Sequence, residues 1–248
     1  MTRRRRLQAI LATSALALAV FTATASAQQP LPPLPKPDTP PPVPPILQNY
    51  KPVTADRLKQ PDDGDWLMYR RTYDSWGYSP LSQITPDNAG RLKLVWTLQT
   101  GQIEGHQAPP IVNNGVMFVA TPGSQLLAID AKKGEILWRF KRPIPTNRGV
   151  GLLGDKVYFA AADAVLVALD AKTGNEVWKT TVEDYNKGYY MTLAPLVVDG
   201  KVIVGASGGE FGVRGSVAAF DAETGKPVWE DLCGAGARRA GQRDLAQR

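Results

Sequence analysis

Ala128-Ile-Asp130-Ala131-Lys-Lys-Gly134-Glu-Ile-Leu-Trp138 decides how the chain is read, because the pattern comes back twice. It returns as Ala168-Leu-Asp170-Ala171-Lys-Thr-Gly174-Asn-Glu-Val-Trp178 and as Ala219-Phe-Asp221-Ala222-Glu-Thr-Gly225-Lys-Pro-Val-Trp229. The tryptophans are 40 and 51 residues apart, and Trp96, followed by Thr100-Gly101, lies 42 before Trp138. A period near 40 means a helical array or a propeller. The intervening sequence chooses between them. Gly115-Val-Met-Phe-Val119, Lys156-Val-Tyr-Phe159 and Lys201-Val-Ile-Val204 are β-branched and alternating. Each follows a turn signal: Asn113-Asn114-Gly115, Gly154-Asp155 or Asp199-Gly200. Asp-Ala-x-x-Gly is itself a tight turn in which Gly supplies a positive φ. Each repeat therefore reads as strand, turn, strand, with Trp near the end of the second strand. Four such strands make a propeller blade. The Asp and Gly of the repeat are assigned to turn chemistry and the Trp residues to packing between blades. None of them is expected to be catalytic, since a catalytic residue does not recur in every repeat.

Composition narrows the function. The 248 residues suit one or two domains, with a globular balance of 43% hydrophobic and 21% charged residues. One Cys and one His exclude a disulfide framework and a Cys/His zinc cluster. A histidine-dependent hydrolase would have to use His106. The formal net charge of +6 belongs to the ends. Arg3–Arg6 carry four charges, and the segment 231–248 carries four arginines against two aspartates. The body between is neutral, so the basic balance does not point to nucleic acid.

The two ends differ from the middle. Residues 1–27 read as a secretory signal peptide: Arg3–Arg6, an apolar run from Leu7 to Thr24, then the small-residue site Ala25-Ser26-Ala27. The arginines also permit a twin-arginine route. This predicts a periplasmic protein. Residues 28–52 hold a proline-rich stretch, with ten prolines between Pro30 and Pro45. Proline lacks an N–H and fixes φ, so this part is expected to be an extended linker with no helix. The partial propeller is assigned to 53–230. The segment 231–248 has no Val, Ile, Thr, Phe, Tyr or Trp. Such a tail should not continue a β-rich fold, and it reads as disordered or frameshifted.

The repeats resemble those of the pyrroloquinoline quinone (PQQ)-dependent alcohol dehydrogenases of the methanol/ethanol type. The resemblance runs from about Asp65 to Trp229. It starts at Asp65-Trp66 and Tyr78-Ser79-Pro80-Leu81-Ser82-Gln83-Ile84, which look like the family's N-terminal signature. It implies an all-β fold, a β-propeller of the eight-bladed quinoprotein type, of which about three to four blades are present. Three further stretches match family cofactor sites. Asn147-Arg148-Gly149 resembles the segment whose Arg meets a PQQ carboxylate. Thr192-Leu193-Ala194-Pro195 resembles the strand whose Thr bonds the cofactor. Ser207-Gly208-Gly209-Glu210-Phe211-Gly212-Val213-Arg214-Gly215 resembles the segment that gives Ser and backbone groups to PQQ and a Glu to Ca²⁺. The implied cofactor-binding residues are Gln107, Arg148, Thr192, Ser207, Gly208 and Gly209, with Glu210 as the metal ligand.

These residue types suit that chemistry. PQQ is a flat tricarboxylate, which a planar guanidinium can hold bidentately. Gly208 and Gly209 would let backbone approach a flat ligand. Calcium takes hard oxygen ligands such as Glu210, and a lanthanide serves in some relatives. The chain also departs from the family. Gln107 stands where a Glu is frequent. The family's adjacent Cys pair would fall near Arg142 and Pro143, so no vicinal disulfide is expected. The family's remaining Ca²⁺ ligands, its catalytic Asp and the Trp stacked on PQQ have no counterpart before Arg248, so no catalytic residue is assigned. The resemblance implies part of a periplasmic alcohol dehydrogenase that passes electrons to cytochrome c or a membrane quinone and is inactive alone. The alternative is a non-enzymatic propeller that serves as a binding scaffold.

Overall fold

The hairpin turns form as the dipeptides dictate. Asn114 and Gly115 both take positive φ (49° and 79°), as do Asp199 and Gly200 (49° and 67°). This pairing of left-handed residues matches the twist of antiparallel strands. A computed structural model describes residues 42–103, 105–123, 125–142 and 148–233. Among these, twelve strands form three four-stranded antiparallel sheets. The first blade is β1 (Ile111–Asn113), β2 (Val116–Thr121), β3 (Gln125–Asp130) and β4 (Ile136–Lys141). The second is β5 (Val150–Leu153), β6 (Lys156–Ala161), β7 (Val165–Asp170) and β8 (Glu176–Thr181). The third is β9 (Leu196–Val198), β10 (Lys201–Ala206), β11 (Ser216–Asp221) and β12 (Pro227–Leu232). The all-β propeller arc expected from the repeats is the observed fold.

The repeat is kept down to its irregularities. Register shifts occur at Ala128/Ile129, Ala168/Leu169 and Ala219/Phe220, the same place in each blade. The middle strands carry the core: Phe118, Leu126, Tyr158, Phe159 and Leu166 are fully buried. The outer strands β4 and β8 face outward with exposed and half-buried residues. The first strands of the second and third blades touch, β5 against β9, while β5 meets β2 of the first blade.

Blades are joined by one repeated contact. Trp96, Trp138 and Trp178 donate Nε1–H to the carbonyls of Ala131, Ala171 and Ala222, at 3.1, 2.9 and 3.2 Å. Each indole lies over the glycine of that same turn. A Cβ on Gly134, Gly174 or Gly225 would sit 2.5, 2.7 or 2.5 Å from the Trp ring. The glycine thus answers two demands, a positive φ near 70° and room for the indole of an earlier repeat. Turn chemistry alone explains only the first.

The linker expectation fails from residue 42 onward. Pro45–Gln48 form a one-turn helix, α1, with Leu47 fully buried. Pro44 caps it in an extended conformation and Pro45 occupies the first turn, where a missing N–H leaves nothing unpaired. Tyr50 and Val53 are buried too; Tyr50 packs edge-on against Phe118, and Val53 exchanges backbone bonds with Gly154. Apolar anchors interspersed with the last prolines pull this stretch onto the propeller. A second short helix, α2 (Ala55–Lys59), is capped by the Thr54 side chain. Its Arg57 bonds Asp65 at 2.6 Å and Asn113 at 2.9 Å, while Asp65 accepts from the Asn114 N–H at 2.8 Å. Asp65 of the signature is therefore a fastening for the first hairpin.

At the other end, β12 continues through Leu232, past the boundary drawn at residue 230. Its pairing with β11 carries it: Asp231 lies opposite Val217 and Leu232 opposite Ser216, and the Cys233 N–H reaches the Gly215 carbonyl at 2.7 Å. A neighbouring strand edge overrides weak local propensity. The expected signal peptide (residues 1–27), residues 28–41 and the segment 234–248 lie outside the described residues. Among the described residues no helix is long and apolar enough to cross a membrane.

Candidate functional site

Antiparallel blades have two ends. The Trp-docking turns occupy one. The links between blades and the second hairpin of each blade occupy the other, and every expected site residue falls there. Gln107 precedes β1, Arg148 precedes β5, Thr192 precedes β9, and Ser207–Glu210 follow β10. The extra length of the third repeat is at this end too, in the segments 182–195 and 207–215, each with a 3₁₀ turn (Tyr185–Lys187 and Gly209–Phe211).

The structure draws these segments together. Arg148 Nε donates to Gln107 Oε1 at 3.0 Å. The next residue, Gly149 (φ 125°), is buried; a Cβ there would meet Ala194 Cβ at 3.3 Å and Pro109 Cδ at 3.9 Å. The segments bearing Gln107, Arg148 and Thr192 therefore touch around Gly149. Tyr190 ties in the rest. Its N–H and C=O both pair with Ser207, at 3.0 and 2.9 Å, and its hydroxyl donates to Glu210 Oε1 at 2.5 Å. That hydrogen bond holds the Glu210 carboxyl below the usual carboxylate range. It pushes the Tyr190 hydroxyl up, while the positive charge of Arg148 pulls it the other way. Arg148, Tyr190 and Glu210 share one electrostatic neighbourhood.

The two glycines differ. A Cβ on Gly208 would lie 2.3 Å from the Gly188 carbonyl and 2.5 Å from Val213, so the protein itself fills that space. Gly209 has nothing within 4 Å and is the one able to admit a ligand. Thr192 is half-buried beside Met191, which is buried. Two clefts border the site. One, of about 420 Å³, is lined by Arg148, Leu193–Val197 and residues from Leu58 to Ser75. The other, of about 620 Å³, is lined by Tyr185, Tyr189, Tyr190, Phe211 and Glu210. Near this end Arg142 forms an ion pair with Asp163.

Comparisons with known proteins identify the family. The PQQ glucose/ethanol/alcohol dehydrogenase β-propeller domain family matches residues 66–244. The chain belongs to this family. Its match takes in most of the segment 231–248 that composition set apart. The quinohemoprotein alcohol dehydrogenase ADH IIB of Pseudomonas putida is 41% identical over 71% of this chain and 27% of its own length. The dehydrogenase subunit of the quinone-type alcohol dehydrogenase of Gluconobacter oxydans (strain 621H) is 42% identical over 67% and 24%. A solved europium-containing methanol dehydrogenase superposes with a TM-score of 0.69 at 36% identity, covering 73% of this chain and 34% of that one. The chain thus spans about a quarter of the length of the curated relatives it matches.

The residues of this quinoprotein arc fit a flat anionic cofactor along one wall: a guanidinium oriented by Gln107, an open Gly209, and hydroxyls at Thr192 and Ser207. They do not complete a calcium centre. Among the described residues no group of three His, Cys, Asp or Glu could hold a metal ion, and one carboxylate falls far short of six to eight oxygens. Sequence reasoning missed Tyr190. It lies two residues before the Thr192 motif, but nothing in a lone tyrosine marks which carboxylate it will meet.

Proposed function

We propose that this chain is the part of a periplasmic, PQQ- and calcium-dependent alcohol dehydrogenase that builds one wall of the cofactor site. The leading observation is the pairing of Arg148 with Gln107 at the end of the arc where Tyr190 holds Glu210. Gln107 engages Nε, which orients the guanidinium and leaves its terminal nitrogens as donors for a cofactor carboxylate. Thr192 and Ser207 offer hydroxyls, and Gly209 offers unobstructed backbone. Glu210, kept anionic by Tyr190, offers one carboxylate to a Ca²⁺ or lanthanide ion. PQQ, when bound, would accept the hydride of an alcohol. The electrons would go to a cytochrome c or a membrane quinone, consistent with the quinohemoprotein and quinone-linked relatives. The periplasmic location rests on the signal-like residues 1–27.

Equilibrium titration of the purified chain with PQQ, with and without Ca²⁺, tests this. PQQ should bind, and Arg148→Leu should weaken binding at least tenfold, the scale of a charge-assisted hydrogen bond. Failure of the unaltered chain to bind PQQ would sink the proposal. Dye-linked alcohol oxidation by the chain alone should be absent. Without PQQ, Ca²⁺ should bind no better than about millimolar, the range of weak sites. Micromolar Ca²⁺ binding lost on Glu210→Ala would reveal a complete metal site within this chain.

A further inference from the structure

We propose that Tyr190 is a positioning residue for this site, clamping the 207–215 segment through its main chain and fixing the Glu210 carboxylate through its hydroxyl. The inference rests on the cofactor-site reading above but has its own geometric basis. Three separate contacts meet at this one residue. Both backbone groups of Tyr190 pair with Ser207. Its hydroxyl lies 2.5 Å from Glu210 Oε1. Its ring packs edge-on against Phe211, with centroids 6.3 Å apart.

The surrounding backbone leaves the clamp little slack. Gly188, two residues earlier, has φ 100°, and a Cβ there would be 2.6 Å from Phe211 Cβ. Gly208 has φ 146° and presses on the Gly188 carbonyl. The segments 182–195 and 207–215 are thus interlocked by glycine on both sides. Glu210, by contrast, is exposed and sits in a short 3₁₀ turn with Gly208 before it and Gly212 (φ 80°) after it. Flanking glycines give a carboxylate freedom to swing. The phenol removes that freedom from one oxygen and leaves the other as a ligand atom. Thr192, two residues beyond Tyr190, moves with the same clamp. Preorganisation of this kind appears as affinity, because the ordering cost is met before the ligand arrives.

The experiment uses the full chain with PQQ and Tb³⁺ as probes, read by amide exchange and by calorimetric titration of Tb³⁺, which does not depend on the phenol that the variant removes. Tyr190→Phe keeps the ring on Phe211 and the backbone pairing with Ser207. It should fold with an unchanged thermal transition, yet amides of 207–215 should exchange several-fold faster, since local opening loses one hydrogen bond to a charged group. In the presence of PQQ its Tb³⁺ affinity should fall about tenfold, on the same scale. Glu210→Gln keeps an acceptor for the phenol but no charge; its exchange should lie between wild type and Tyr190→Phe, and it should lose Tb³⁺ binding. Unchanged exchange in Tyr190→Phe overturns the clamp even if no probe binds. Absence of PQQ and Tb³⁺ binding in the unaltered chain, with exchange still sensitive to Tyr190→Phe, overturns the site reading and reduces Tyr190 to a loop fastening. A lower thermal transition with unaltered Tb³⁺ affinity likewise makes the residue merely structural.

Discussion

Gly225 and Gly200 offer a controlled test of what holds the blades together. Their φ values are 69° and 67°, so replacing either with Ala imposes the same backbone strain, roughly 1–2 kcal/mol. Their surroundings are opposite. A Cβ on Gly200 meets nothing within 4 Å, whereas one on Gly225 would lie 2.5 Å from the Trp178 ring and 2.9 Å from Thr180 Oγ1. Thr180 donates to the Gly225 carbonyl at 2.7 Å, and Trp178 packs on Tyr158 with centroids 5.9 Å apart. Neither neighbour is free to retreat. Overpacking of this kind costs about 1–3 kcal/mol. Gly225→Ala should therefore be less stable than Gly200→Ala by about that amount, measured by urea unfolding followed by circular dichroism. In a domain of this size each kcal/mol lowers the thermal midpoint by about 2–4 °C. Placing both substitutions in a Trp178→Ala background should shrink the difference to what the Thr180 contact leaves, because the indole, the nearer obstacle, is gone. Equal costs in the wild-type background would mean that the repeat glycine serves the turn alone and that the indole contact adds nothing.

Other substitutions probe the charges. Gln107→Leu removes the acceptor that orients Arg148, and PQQ affinity should fall about tenfold in equilibrium titration while Arg148 stays in place. Thr224 bonds Asp221 through both its amide and its hydroxyl, which depresses the Asp221 carboxyl. Stability from that depression is present above the ordinary carboxylate range and is lost as pH falls through the depressed value. Thr224→Val should raise the Asp221 titration seen by NMR, and its stability deficit should shrink in acid. Glu183 behaves oppositely. Burial, reinforced by Glu230, raises its carboxyl although the Ser216 hydroxyl opposes the rise. A raised carboxylate favours the fold below its unfolded value and loses that contribution as pH rises through the folded one. Glu183→Gln should raise the melting temperature near pH 7 and leave it unchanged near pH 4.

The fold was readable because propellers write themselves periodically. Trp138, Trp178 and Trp229 recur at fixed places, and the Asn-Gly and Asp-Gly pairs turn where such dipeptides turn. The blade boundaries at the ends were harder, since tertiary partners decide them. Leu47 and Tyr50 pull a proline-rich stretch into the core, and β11 templates β12 beyond Glu230. The site was legible only through resemblance. Arg148, Thr192 and Glu210 carry no periodic signal, and singly each reads as ordinary surface chemistry. Tyr190 depends on two loops meeting through Gly188 and Gly208, a relation that no local pattern encodes.

The docking of each tryptophan onto a later turn gives the arc a direction in time. Trp96 waits for Ala131, Trp138 for Ala171 and Trp178 for Ala222, separations of 35, 33 and 44 residues. At synthesis rates of about 5–20 residues per second, each wait lasts about two to nine seconds. During that interval the newest docking tryptophan is made but unsealed, its indole presented to solvent. Each blade is therefore finished by its successor, and a nascent chain always carries one unsealed indole at its growing end. The moment of greatest exposure to misassembly travels along the chain with synthesis, blade by blade.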